Sequence, residues 1–131
     1  MKRIAVSSGS PFEAMIGFSR AVRVGDRVAV SGTAPIAEDG SVAGRGDAYQ
    51  QMRRCLQIVE WALGEAGASL GDVQRTRIYL TDPAAWEGVA RAHAEVFGEI
   101  RPASTFVVVA ALLDPAWLVE MEAEAVVDGE P

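Results

Sequence analysis

The sequence predicts an α+β fold, a mixed sheet with two helices on one face. Two helix-period segments are separated by a strand, a hairpin signal precedes them, and two strand patterns follow, one wholly apolar and one strictly alternating. The expected order is strand, strand, helix, strand, helix, strand, strand, with an optional first strand over Arg3 to Ser7. No repeat, linker or low-complexity tract divides the chain, so residues 1–131 read as one domain.

Each element has a local reason. Arg20 to Val24 and Arg27 to Ser31 are β-branched runs around a tight Gly25-Asp26 turn, a hairpin signal. Asp39-Gly40 marks a further turn. Asp47 offers an N-cap acceptor with Gln50 at the third helical position, and the helix it opens runs to about Gly67. Met52, Cys55, Leu56, Val59, Leu63 and Ala66 recur there at helical spacing and form one apolar face, which places Cys55 in the core. Val73 to Leu80 reads as a strand. Asp82-Pro83 starts a second helix ending near Phe97, before Gly98 and Pro102, with His93 on or beside its apolar stripe.

The run from Thr105 to Leu113 is apolar at every second and every intervening position, the pattern of a strand covered on both faces. After the turn at Asp114-Pro115-Ala116, Leu118 to Val127 alternates, with Val119, Met121, Ala123, Ala125 and Val127 on one face and Glu120, Glu122 and Glu124 on the other. The strands flanking the second helix are expected to be parallel neighbours joined by a right-handed crossover, with both helices on one face of the sheet. The other face then lacks a cover. Burying four or five such side chains is worth roughly 1.5–3 kcal/mol each, so self-association is the expected outcome.

Twelve Lys+Arg against eighteen Asp+Glu give a net charge of -6, which opposes a nucleic-acid partner. One cysteine and one histidine supply neither a disulfide nor a zinc site. The N-terminal apolar stretch is too short for a signal peptide, and Phe106 to Leu113 is too short to span a bilayer, so a cytoplasmic protein without membrane contact is expected.

Common catalytic signatures are missing: there is no Gly-x-Ser-x-Gly, phosphate loop or His-Glu-x-x-His. Gly44-Arg45-Gly46 lacks the third glycine of a dinucleotide site, and Asp47 would repel a phosphate there. Ser104 and the other serines have no histidine at a spacing that suggests a hydrolase triad. Glu120, Glu122 and Glu124 lie about 7 Å apart along one strand face, close enough to raise one another's pKa if water is excluded. Facing water, or pairing with Arg75 and Arg77, is the alternative for Glu122 and Glu124. Trp61, Trp86 and Trp117 read as packing residues.

Several stretches, in order, resemble the RidA (YjgF) family: Gly17-Phe18-Ser19-Arg20-Ala21-Val22, Gly25-Asp26-Arg27-Val28-Ala29-Val30-Ser31-Gly32, Arg77-Ile78-Tyr79-Leu80-Thr81-Asp82, Arg101-Pro102-Ala103 and Val119-Glu120-Met121-Glu122-Ala123. The resemblance covers about Gly17 to Val127. It implies a chorismate-mutase-like homotrimer with ligand clefts at the subunit junctions and no metal or organic cofactor. It also implies an enamine or imine deaminase, a hydrolase that converts compounds such as 2-aminoacrylate to 2-keto acids and ammonia.

In such a family member an arginine on the fifth strand grips the substrate carboxylate, and a glutamate on the last strand positions the attacking water. The resemblance places the glutamate at Glu120 and the arginine at Ser104, so this chain reads as a divergent member without that anchor. Phe18 stands at the position of a cleft tyrosine, Ser31 keeps the serine of the Ser-Gly turn, and Ala90 replaces a frequent asparagine. With Phe106 these residues make the expected cleft more apolar. Arg20 and Arg101 are candidate replacements for the arginine. The expected partners are a second and third copy of the chain and a small-molecule ligand. A non-catalytic ligand-binding or regulatory trimer is the alternative reading.

Overall fold

The computed structural model describes residues 1–128, so the last three residues of the expected domain, 129–131, lie outside the described residues. Its elements are β1 (Arg3–Val6), α1 (Pro11–Ile16), β2 (Ala21–Val24), β3 (Arg27–Thr33), α2 (Ala48–Glu65), β4 (Val73–Leu80), α3 (Trp86–Phe97), β5 (Ala103–Val108) and β6 (Val119–Val126). Six strands form one sheet in the order β1-β2-β3-β6-β4-β5. All neighbours are antiparallel except β4 and β5, the parallel pair expected on either side of α3.

Helix α2 begins where the sequence places it, with the Asp47 side chain accepting from Gln50 N. Its predicted apolar face is buried without exception, from Met52 to Ala66, and Cys55 lies in the core. Opposite it, Val28, Val30, Val119, Met121, Ala123 and Ala125 supply the sheet side of the same core. Because side chains alternate along a strand, Glu120, Glu122 and Glu124 fall on the face away from the helices.

Two segments differ from the sequence reading. The strand predicted over 105–113 spans only Ala103–Val108 and lies at the sheet edge, with Val107 41% and Val108 53% exposed. The reason is topological. β6 pairs between β3 and β4, so the chain leaving β5 must cross the end of β4, and residues 109–118 make that crossing. Buried Gln51 pins it, donating through Nε2 to Ala116 O at 3.0 Å and accepting from Leu118 N through Oε1 at 2.8 Å. The second difference is α1, a short helix capped by Ser10, opened by Pro11 and closed by Gly17 at φ 92°. Trp61 and Trp86 are also 44% and 54% exposed rather than packed inside.

Candidate functional site

The expected site residues fall into two groups. The first surrounds Glu120. The ladder between β3 and β6 shifts register between Val30 and Thr33, so that Ser31 and Gly32 together oppose the one residue between Met121 and Ala123. Glu120 packs its carboxylate over Gly32, where a Cβ would collide with Oε2. Ser31 donates from Oγ to Ser19 O at 2.6 Å, tying the Ser-Gly turn to the segment that carries Phe18 and Arg20.

Arg20 is 9% exposed, donates from Nη2 to Gly32 O, and has its guanidinium 5.6 Å from the centre of the Phe18 ring. Its Nε has no hydrogen-bond partner among the described residues. Burial lowers its pKa, and the charges of Glu13 and Glu120 act against that. Glu120 is half-buried and held above the usual carboxylate range by burial, an effect that Arg20 opposes and Glu122 reinforces. The cluster therefore contains a carboxylate that is a stronger base than an exposed glutamate, with one cation to keep it ionised.

Glu13 anchors this group to α1. It accepts from Ser7 Oγ at 2.9 Å, from Ser8 N at 3.0 Å and from Ser8 Oγ. Burial pushes its carboxyl up, but these hydrogen bonds and Arg20 outweigh that and hold it below its ordinary value. Nothing in the sequence pattern singled out Glu13. The available signal was Ser10-Pro11, which opens the helix that carries it.

The second group lies at the β5 edge. Ser104 pairs with Thr76 and Phe106 with Ile78, and because both partners are buried beneath the helices, Ser104 and Phe106 point to the helix face. Thr76 Oγ1 donates to Ser104 Oγ at 2.8 Å and stands 2.9 Å from His93 Nε2. His93 packs on Phe97 and Phe106, with ring centres 4.8 and 5.8 Å away. Ala90 lies on the same helix one turn earlier and is partly buried.

Glu120 sits opposite Tyr79 on one face of the sheet, and Ser104 sits opposite Thr76 on the other. They are separated by two strand spacings, roughly 10 Å, and by three residues of height, roughly another 10 Å. One chain therefore does not bring the two groups together. Within one chain neither arginine candidate lies beside Ser104: Arg20 belongs to the Glu120 group. Arg101, at φ 54°, is exposed and closes α3, donating from N to Phe97 O at 2.8 Å and from Nε to Gly98 O at 3.1 Å.

The other two glutamates on this face of β6 are engaged with their neighbours. Glu124 pairs with Arg77 at 3.1 Å, and Glu122 accepts from the Tyr79 hydroxyl. Among the described residues no helix is long and apolar enough to cross a membrane.

Residues 9–127 match the family model described as Endoribonuclease L-PSP. The chain is 34% identical over 124 residues to the 3-aminoacrylate deaminase RutC of Acinetobacter baylyi, covering 95% of this chain and 97% of that protein. Among solved structures it is similar to a Mycobacterium tuberculosis member of the YjgF/YER057c/UK114 family, with a TM-score of 0.87, 48% identity, and coverage of 96% of this chain and 100% of that one. It is also similar to Escherichia coli TdcF with bound serine, with a TM-score of 0.78, 26% identity, and coverage of 93% and 92%.

Proposed function

Because this chain belongs to the endoribonuclease L-PSP family, the YjgF/RidA family of the solved structures, we propose that it is a homotrimer whose inter-subunit clefts bind a small metabolite and hydrolyse enamine or imine compounds. The observation that carries this reading is Glu120: a half-buried carboxylate, raised by burial, seated over a glycine and faced by one arginine. A relative named as a 3-aminoacrylate deaminase and a neighbour solved with bound serine support a small amino-acid-like ligand.

In this mechanism the Glu120 carboxylate takes a proton from water, whose oxygen bonds to the imine carbon as the C=N π pair moves to nitrogen, and the Glu120 carboxyl then returns that proton to the nitrogen. Collapse of that carbinolamine breaks the C–N bond, releasing ammonia and leaving the keto acid. The deprotonated carboxylate is the working form, so the rate rises with pH through Glu120's raised pKa. Loss of the Arg20 charge shifts that rise to higher pH.

Glu120→Gln is expected to lower ammonia release from a panel of imines by about 10²–10⁴-fold, with Glu122→Gln close to the parent. Gly32→Ala displaces the carboxylate by its Cβ and is expected to lower the rate while the fold is retained. The assignment fails if Glu122→Gln abolishes turnover and Glu120→Gln does not.

The replaced arginine favours a second reading, a ligand-binding or regulatory trimer without turnover, in which Glu120 hydrogen-bonds a ligand amine. A thermal shift with no ammonia release from the same panel identifies it. RNA cleavage, despite the family's description, is opposed by the net charge of -6. RNase activity that co-purifies through several columns and disappears in Glu120→Ala would overturn that exclusion.

A further inference from the structure

Thr76 connects two groups that sequence spacing kept apart. Its hydroxyl, fully buried, is within hydrogen-bond distance of both Ser104 Oγ (2.8 Å) and His93 Nε2 (2.9 Å), so the three side chains form one continuous chain from the exposed edge of β5 to the underside of α3. Hydroxyl protons rotate about their C–O bonds, and with the imidazole proton on Nδ1 the same distances let Ser104 donate to Thr76 and Thr76 donate to His93 Nε2.

We propose that Ser104, Thr76 and His93 form a proton relay that makes Ser104 an activated hydroxyl toward small neutral carbonyl compounds, esters first. Ser104 Oγ bonds to the carbonyl carbon while its proton passes to Thr76 Oγ1 and the Thr76 proton passes to His93 Nε2. The alcohol leaves with the proton returned from the imidazolium, and water then hydrolyses the acyl group from Ser104. The apolar Phe106 ring beside the relay, with no cation bonded to Ser104 among the described residues, fits a neutral ligand rather than a carboxylate. This inference depends neither on Glu120 nor on assembly.

His93 has the protonation state the relay needs. Burial alone lowers its pKa, so the imidazole is neutral at pH 7. The groups around it are Thr76 and Ser104 from the sheet, Phe106 from β5 and Phe97 from its own helix. The charged groups between α2 and α3 gather elsewhere: the Tyr49 hydroxyl bonds Glu95, and Arg53 and Arg91 lie over its ring.

The test is labelling of the intact protein with phenylmethylsulfonyl fluoride, located by peptide mass mapping. The S–O bond forms at Ser104 as the S–F bond breaks, fluoride leaves, and the proton follows the relay. Ser104 is expected to react faster than the chain's other serines, with a rate that falls as pH drops through the lowered His93 pKa. Thr76→Val, nearly isosteric, and His93→Gln are each expected to slow labelling by about a hundredfold. The sole histidine gives an unambiguous imidazole NMR signal, which in Thr76→Val reports that the fold and ring environment persist. Labelling of Ser104 no faster than of other serines, or labelling indifferent to Thr76→Val and pH, overturns the relay.

Discussion

Ser104→Arg is expected to raise 2-aminoacrylate hydrolysis by roughly tenfold to a thousandfold, the gain if about 1.4–4 kcal/mol of transition-state binding is restored. A carboxylate that settles beside Ser104 and Phe106 loses hydration and meets no guanidinium from its own strand there, so the parent chain is expected to bind it poorly. Ser104 is exposed on an edge strand, so a longer side chain has room to extend without disturbing the core. The substitution removes the Ser104 hydroxyl from its bond with Thr76, so the same variant is expected to lose sulfonyl labelling at this position. Rapid 2-aminoacrylate turnover by the parent protein would show that another group already holds the carboxylate. Arg20, beside Glu120, is the group the geometry would then favour.

The second large effect is expected at Val107. Val107 is 41% exposed and shares the helix-free face with Thr105 and the glutamates of β6. An aspartate there meets water in the single chain and a desolvated partner surface in the proposed trimer. Val107→Asp is therefore expected to keep the secondary structure and lose the assembly. Light scattering should fall from about 42 kDa, three chains of 13.9 kDa, to the mass of one chain. A monomeric parent protein at micromolar concentration would remove the basis for a junctional cleft.

The legible parts of this fold are those where local chemistry and tertiary packing agree. Asp47 and the i+3/i+4 spacing from Met52 to Ala66 mark α2, because that face is the centre of the core. The alternation from Val119 to Val127 likewise marks β6, which has one face on the core and one off it. The apolar run after Phe106 misleads for the opposite reason: β6 takes the place beside β4, so residues 109–118 cross the end of β4 instead of lengthening β5, and much of the run, Val108 and Leu113 included, is exposed in the single chain. α1 has a cap and a stop but only six residues, and its exposed Phe12, Met15 and Ile16 give no buried stripe to detect.

The candidate site is legible as residue types and not as partnerships. Glu120 stands out through the family resemblance, yet its seat over Gly32 depends on a register shift in the ladder that no periodicity reveals. The link between Ser104 and His93 runs through Thr76, a buried strand residue whose role appears only once β4, β5 and α3 are placed together. Arg20 reads as a surface arginine by type and is nearly buried in fact, because the Ser31-Gly32 segment offers it a carbonyl and two glutamates offset its charge.

The Glu120 group of one chain and the Ser104 group of another are expected to close a single cleft, since one chain holds them on opposite faces of its sheet. A crystal structure of Ser104→Arg, the variant in which the carboxylate anchor is restored, soaked with pyruvate tests this arrangement. The keto acid is expected at a subunit junction, with Glu120 and Gly32 of one chain on one side and position 104 and Phe106 of its neighbour on the other. Pyruvate bound within a single chain, or a trimer whose Glu120 and position 104 face different compartments, would contradict it.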